Sequence, residues 1–182
     1  MTDESLDIVR RMIVAIGDDP ARDGLKDTPS RVVRSWREVF GGYANDPALH
    51  LATTFDVGGD QMIHVNGIEF FSTCEHHMLP FHGTVDVAYI PRDRVVGLSK
   101  FARVVDGYAR RLQVQERLTN QVADAIVEHV SVLGAAVRVR AVHQCMIARG
   151  ARTRATMTTT ALRGIILEDD TVRREWMSAL PG

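Results

Sequence analysis

Residues 62–91 read MIHVNGIEFFSTCEHHMLPFHGTVDVAYIP, and this stretch decides the fold. In its second half Val85, Val87 and Tyr89 alternate with Thr84, Asp86 and Ala88. That two-residue period is the mark of a strand with one face buried. Its first part, MIHVNGIEFFS, centres on Asn66-Gly67, the dipeptide best suited to a two-residue hairpin turn. The expectation is a hairpin about Asn66-Gly67, followed by a strand in GTVDVAYIP.

Outward from there the period lengthens. Leu98, Phe101, Val105, Tyr108 and Leu112 recur at three and four residues, with Ser99 near the start, which predicts a helix. VQERLTNQVADAIVEHV (114–130) predicts another, with Val114, Leu118, Val122 and Ile126 inward. AAVRVRAVHQCMIAR (135–149) reads as a strand, TRATMTTTALRGII (153–166) as its hairpin partner, and DDTVRREWMSAL (169–180) as a tail helix. Upstream, Leu6, Val9, Ile13 and Ile16 space a first helix that stops at GDDP. In DTPSRVVRSWREVFGG, Asp27 or Thr28 caps a second helix, Pro29 suits its first turn, and Val32, Trp36, Val39 and Phe40 make one face. Consecutive hairpin-connected strands with helices between them predict an α+β fold, an antiparallel sheet with helices on one face. The expected organisation is an N-terminal helical region over 1–45 and a main body over 46–182, one domain overall. A sheet with an open face and open edges predicts a homo-oligomer.

Composition narrows the function. The chain has 182 residues, 45% hydrophobic and 25% charged, with net charge −1. No global basic field invites nucleic acid or an anionic membrane. No apolar run approaches the ~20 residues that span a bilayer. The start MTDESLDIVRR does not resemble a signal peptide, so the expected location is cytoplasmic. Arginine is abundant and the lysines are Lys26 and Lys100. The bulk of that reads as composition bias, with phosphate forks at a few positions.

Two short clusters carry chemistry. Cys74 and His77 lie three apart in STCEHHMLP, a spacing that lets both reach one ion in a tight turn. His143 and Cys145 lie two apart on a predicted strand, so both side chains leave one face. Thiolate with imidazole suits Zn²⁺ best among common metals. Cys74, His76, His77, His143 and Cys145 are more donors than a shell needs. Four would close a structural site; three leave a position for water and make surplus histidines useful as proton carriers. Spacing favours His77 over His76 without excluding it. The remaining histidines, His50, His64, His82 and His129, stand outside any cluster. Elsewhere, Ser99, Lys100 and Arg103 gather at a predicted helix N-terminus, where anions are favoured. Arg31, Arg34 and Arg149 are further candidate anion contacts. Gln115 and Glu116 open the next helix, where a carboxylate suits either the helix dipole or an amidine edge such as guanine's.

The strings KDTPSRV, STCEHHMLPFHG, YIPRDRVVGLSK, QVQERLTNQ, HQCMIARG and TTT occur in order from Lys26 onward. On these the chain closely resembles the GTP cyclohydrolase I family. The resemblance implies the tunnelling fold: an antiparallel four-stranded sheet with two helices on one face, preceded by N-terminal helices. It implies pentameric barrels stacked into a decamer, with active sites between subunits. It implies zinc on Cys74, His77 and Cys145, and proton transfer by His76 and His143. Glu116 would hold guanine with Gln115 close by. Ser99, Lys100, Arg103 and Arg149 would line the triphosphate pocket, with Ser99 also assisting the opened sugar, and Arg31 and Arg34 would reach in from a neighbour. The implied reaction converts GTP and water to 7,8-dihydroneopterin triphosphate and formate. Two rivals are an NADPH-dependent nitrile reductase of the same fold, which needs no Cys/His zinc set, and a silent zinc- and nucleotide-binding scaffold.

Overall fold

The computed structural model describes residues 3–56 and 61–181. Two compact units divide the chain, Met1–Gly41 and Gly42–Gly182. In the first, α1 (Asp3–Ile16) and α2 (Thr28–Val39) bury Val9, Ile13 and Val33, with Leu6, Leu25, Val32 and Trp36 packed around them. Pro29 falls in the first turn of α2 and Asp27 at its N-cap, but no side chain closes that cap. Ile16, expected inward, is exposed, because Gly17 at φ 98° turns the chain away at the end of α1.

In the second unit, β1 (Thr54–Asp56) pairs with β4 (Arg94–Val96) as a separate ribbon. The main sheet has the order β5-β2-β3-β6-β7. Its long strands β2 (Ile63–Cys74), β3 (Pro80–Pro91), β6 (Val132–His143) and β7 (Thr156–Gly164) pair antiparallel. The expected four-stranded sheet is thus present, and the two-residue β5 (Leu112–Gln113) adds a fifth, parallel strand beside Thr73 and Cys74.

Helices α3 (Leu98–Ala109) and α4 (Gln115–His129) cover one face. Phe101, Val104, Val105, Leu118, Val122 and Ile126 meet Phe81, Val85, Val87, Tyr89, Val137 and Val139 in one buried cluster. Full burial of side chains of this size contributes roughly 1.5–3 kcal/mol each before entropy is counted. The opposite face carries Asp86 and Arg138. At its Ala88–Ala136 end it is covered by Ile166 of α6 (Ile165–Glu168) and Trp176 of α7 (Asp170–Ser178). The Asp169 carboxylate caps α7 by accepting from the amides of Thr171 and Val172.

Asn66-Gly67 is not a hairpin turn. Strand β2 runs through it with a β-bulge between Val65 and Ile68, where Gly67 takes φ 74°. A left-handed glycine suits a bulge as well as it suits a turn. A distant carboxylate selects the bulge: Asp86 Oδ1 accepts the Gly67 amide at 2.9 Å, while Asp86 Oδ2 accepts from Arg138 at 2.8 and 3.0 Å. Arg138 also donates to the Pro181 carbonyl at 2.9 Å. The hairpin that does form joins β2 to β3, and its turn is the CEHHML segment.

Asp86 is 1% exposed. Asp86→Ala strands the Arg138 guanidinium and the Gly67 amide, and we expect a loss of roughly 3–5 kcal/mol. Urea unfolding of the variant against the parent measures it; a loss within about 0.5 kcal/mol, the size of a neutral surface change, contradicts this account.

Candidate active site

Three backbone devices assemble the site. Cys74 ends β2, its amide donates to Leu79 O at 2.9 Å, and its carbonyl accepts from Met78 at 2.8 Å. Met78 takes φ 53°, so the chain turns back sharply and places His77 over Cys74. The second device is β5: its pairing with Thr73 and Cys74, with Glu75 N to Gln113 O at 3.0 Å, sets the start of α4 beside the turn. The third lies after β6, which ends at His143, where the chain coils into α5 (Gln144–Ile147).

That coil corrects one expectation. His143 and Cys145 do not share a strand face, because Cys145 belongs to the helical turn. The turn aims Cys145 towards Cys74 and His77, while His143 stays in the sheet. The ligand atoms of Cys74, His77 and Cys145 all lie within 4.8 Å of one another, and Cys74 Sγ is 4.0 Å from His77 Nδ1. Neither His76 nor His143 belongs to that group. The rings of His76 and His77 stand 84° apart with centroids at 6.3 Å, so the adjacent histidines look in different directions. Burial pushes the Cys145 thiol up, the nearby Cys74 thiol adds to this, and Arg149 opposes it. Both cysteines are free thiols.

The group opens on a cavity of about 180 Å³ lined by Cys74, His76, His77, Glu116, His143 and Cys145, with Phe81, Gln113, Gln115 and Met157 completing much of its wall. His143 stacks on Phe81 at 4.7 Å and 3°. Burial lowers its pKa, and the Glu116 carboxylate pulls the other way. Glu75 and Arg117 form an ion pair across the turn, with Arg117 as donor, and this pairing holds Glu75 below the usual carboxylate range. Spacing gave no sign of Phe81, Gln113 or the Glu75–Arg117 pair. The β3–β6 register, which sets Phe81 opposite His143, was the available clue for the first.

The other expected residues stand elsewhere. Ser99, Lys100 and Arg103 lie on the first turns of α3, and Arg149 is exposed after α5. The far end of α3 is the one near the turn: Ser72 Oγ donates to Ala109 O at 2.6 Å. A twelve-residue helix separates its two ends by about 17 Å at 1.5 Å per residue. None of Ser99, Lys100 and Arg103 lines the cavity. Arg31 and Arg34 lie on α2 in the N-terminal unit, Arg31 paired with Asp27 at 3.2 Å. Among the described residues no helix is long and apolar enough to cross a membrane.

The family model for GTP cyclohydrolase I matches residues 6–181. A GTP cyclohydrolase 1 of Wolinella succinogenes is 47% identical over 171 residues, 93% of this chain and 91% of that protein. One of Streptomyces coelicolor is 50% identical over 175 residues, 94% of this chain and 87% of that protein. One of Carboxydothermus hydrogenoformans is 49% identical over 180 residues, 97% of this chain and 94% of that protein.

Proposed function

Because the chain belongs to the GTP cyclohydrolase I family and is an enzyme of that activity, we propose that the Cys74–His77–Cys145 cavity is where guanine is opened. The products are 7,8-dihydroneopterin triphosphate and formate. The supporting observation is convergence: three metal donors, His76, His143 and Glu116 border one cavity.

The donor set fits zinc. Two sulfurs and one imidazole nitrogen lie within 4.8 Å of one another, and Cys74, His77 and Cys145 would supply the three protein ligands that a catalytic zinc takes. A zinc ion held there supplies Lewis acidity for hydrolysis at neutral pH. The remaining work belongs to the protein. The Glu116 carboxylate accepts from the N1–H and 2-amino group of guanine; adenine offers no such pair, so discrimination is sharp. His143 delivers a proton to nitrogen 7, which makes carbon 8 electrophilic. His76, exposed at the cavity mouth, moves protons as the ring opens and formate leaves. The ribose then rearranges in the Amadori sense, with Ser99 assisting proton transfer at the opened sugar, and the ring recloses as a pterin.

Phosphate binding requires a second copy. Ser99, Lys100, Arg103 and Arg149 hold the triphosphate, Arg31 and Arg34 reach it from a neighbouring subunit, and the α3 turn that meets a given cavity comes from an adjacent chain. Two open edges support this. The outer edge of β7 has no partner strand among the described residues, and that of β2 is paired only at Thr73 and Cys74. Joining β7 of one copy to β2 of the next closes a ring, in keeping with pentamers stacked as a decamer. The working compartment is the cytoplasm, where both thiols stay reduced.

The direct test is GTP with the zinc-loaded enzyme, following pterin fluorescence and formate together. Equimolar release is expected. No pterin at any pH from about 6 to about 9 would defeat this reading. A second test addresses the shared site. Lys100→Ala and His143→Ala homo-oligomers are each expected to be inactive, yet subunits mixed by dissociation and reassembly should regain about a quarter of parental activity by random pairing. No recovery in confirmed mixed oligomers would place the whole site in one chain.

A further inference from the structure

We propose that Gln115 is a positioning residue for His143: its side-chain carbonyl holds the imidazole in one orientation and one tautomer, and it is not itself a guanine contact. This rests on the reading of His143 as the proton donor.

The geometry leaves the amide one way to point. Gln115 is 1% exposed. Its Nε2, which carries two hydrogens, lies among three acceptors: Val139 O at 3.0 Å, Met157 O at 3.1 Å and Thr159 Oγ1 at 3.1 Å. Two of those partners are backbone carbonyls, which only accept. Flipping the amide would set Oε1 against both, so Oε1 must face the other way, where it lies 2.8 Å from His143 Nε2. A carbonyl oxygen only accepts, so His143 Nε2 carries hydrogen and donates to it. The nitrogen left for substrate is Nδ1. Proton delivery therefore has a defined atom.

The support is deep. Thr119 Oγ1 donates to Gln115 O at 2.7 Å and shares a 2.6 Å hydrogen bond with Thr159 Oγ1. Phe81 stacks flat on the imidazole, which fixes the ring plane while Gln115 fixes its rotation within that plane. The chain thus uses consecutive residues for separate tasks: buried Gln115 bonds His143 in the cavity wall, and exposed Glu116 borders the same cavity.

The test uses zinc-loaded Gln115→Leu, with Gln115→Met as the alternative should leucine impair folding. The expected result is a fall in kcat of roughly 10- to 100-fold, the usual cost of losing a group that orients a working histidine. KM for GTP should stay within about twofold and zinc content should be unchanged. In a His143→Ala background the same substitution should cost almost nothing more, because Gln115 acts only through the ring. Histidine ¹⁵N spectra give a readout independent of turnover: the parent shows His143 as the Nε2–H tautomer, and the variant shows a mixture. A raised KM at unchanged kcat, losses that multiply in the double variant, or an unaltered His143 tautomer would each overturn the proposal. If the parent enzyme makes no pterin, the functional reading fails, while the spectra still decide the role of Gln115.

Discussion

Cys145→Ala is expected to lose metal and activity together. Cys74, His77 and Cys145 are brought within 4.8 Å by separate backbone devices, and no fourth protein donor belongs to the group among the described residues. Two donors do not hold zinc against water at physiological concentrations, so affinity should fall by well over the roughly 100-fold that losing an outer partner costs. The fold should survive. Cys145 sits on the short α5 turn and is only partly buried, whereas Cys74 is part of the main core. Metal analysis of the purified variant, with circular dichroism on the same sample, separates loss of metal from loss of structure. A variant that keeps a full complement of zinc would remove Cys145 from the ligand set.

His143→Ala is expected to keep the metal and lose turnover. Its imidazole lies outside the donor group, bonded to Gln115 and stacked on Phe81. Removing a positioned general acid typically costs 10²–10⁴ in rate, and the loss should fall on kcat with GTP affinity little changed. The contrast with Cys145→Ala is the informative part, since the two residues are two apart in sequence and were placed on one strand face by their spacing. Equal zinc loss in both variants would mean that His143 is a ligand and that the division between metal holding and proton transfer is wrong.

The periodic elements were legible in the sequence because their causes are local. The three- and four-residue spacing around Phe101 and Val105, and the alternation from Thr84 to Tyr89, each report which face is buried without reference to anything distant. The misread elements depended on remote partners. Asn66-Gly67 fits a turn and a bulge equally well, and the choice rests with Asp86, nineteen residues away. The end of β6 at His143 depends on where β3 begins, since Phe81 is the last residue there with a partner. At the site, Cys74 with His77 was legible as a local spacing. The Gln115–His143 bond spans 28 residues and Glu75–Arg117 spans 42; contacts of that range leave no trace in spacing. Ser99, Lys100 and Arg103 were read as an anion site from their place at a helix start, and their separation from the metal turn follows from the direction of α3, which spacing does not give.

The bulge at Gly67 has a consequence for how this site can change. Ile63 and Val65 face the helices from odd positions, whereas Ile68, Phe70 and Cys74 face them from even ones. The single extra residue acts as a shift of reading frame for side chains. Without it, every residue from Ile68 onward would turn over, and the thiol of Cys74 would project from the sheet's other surface, away from Cys145. Parity at the metal is therefore set seven residues upstream, about 23 Å along the strand at 3.3 Å per residue. Deleting Asn66 would disable a site it never touches, and a compensating insertion anywhere between Gly67 and Cys74 would restore the frame. Lineages can be expected to vary the residues of this strand freely before they vary its length.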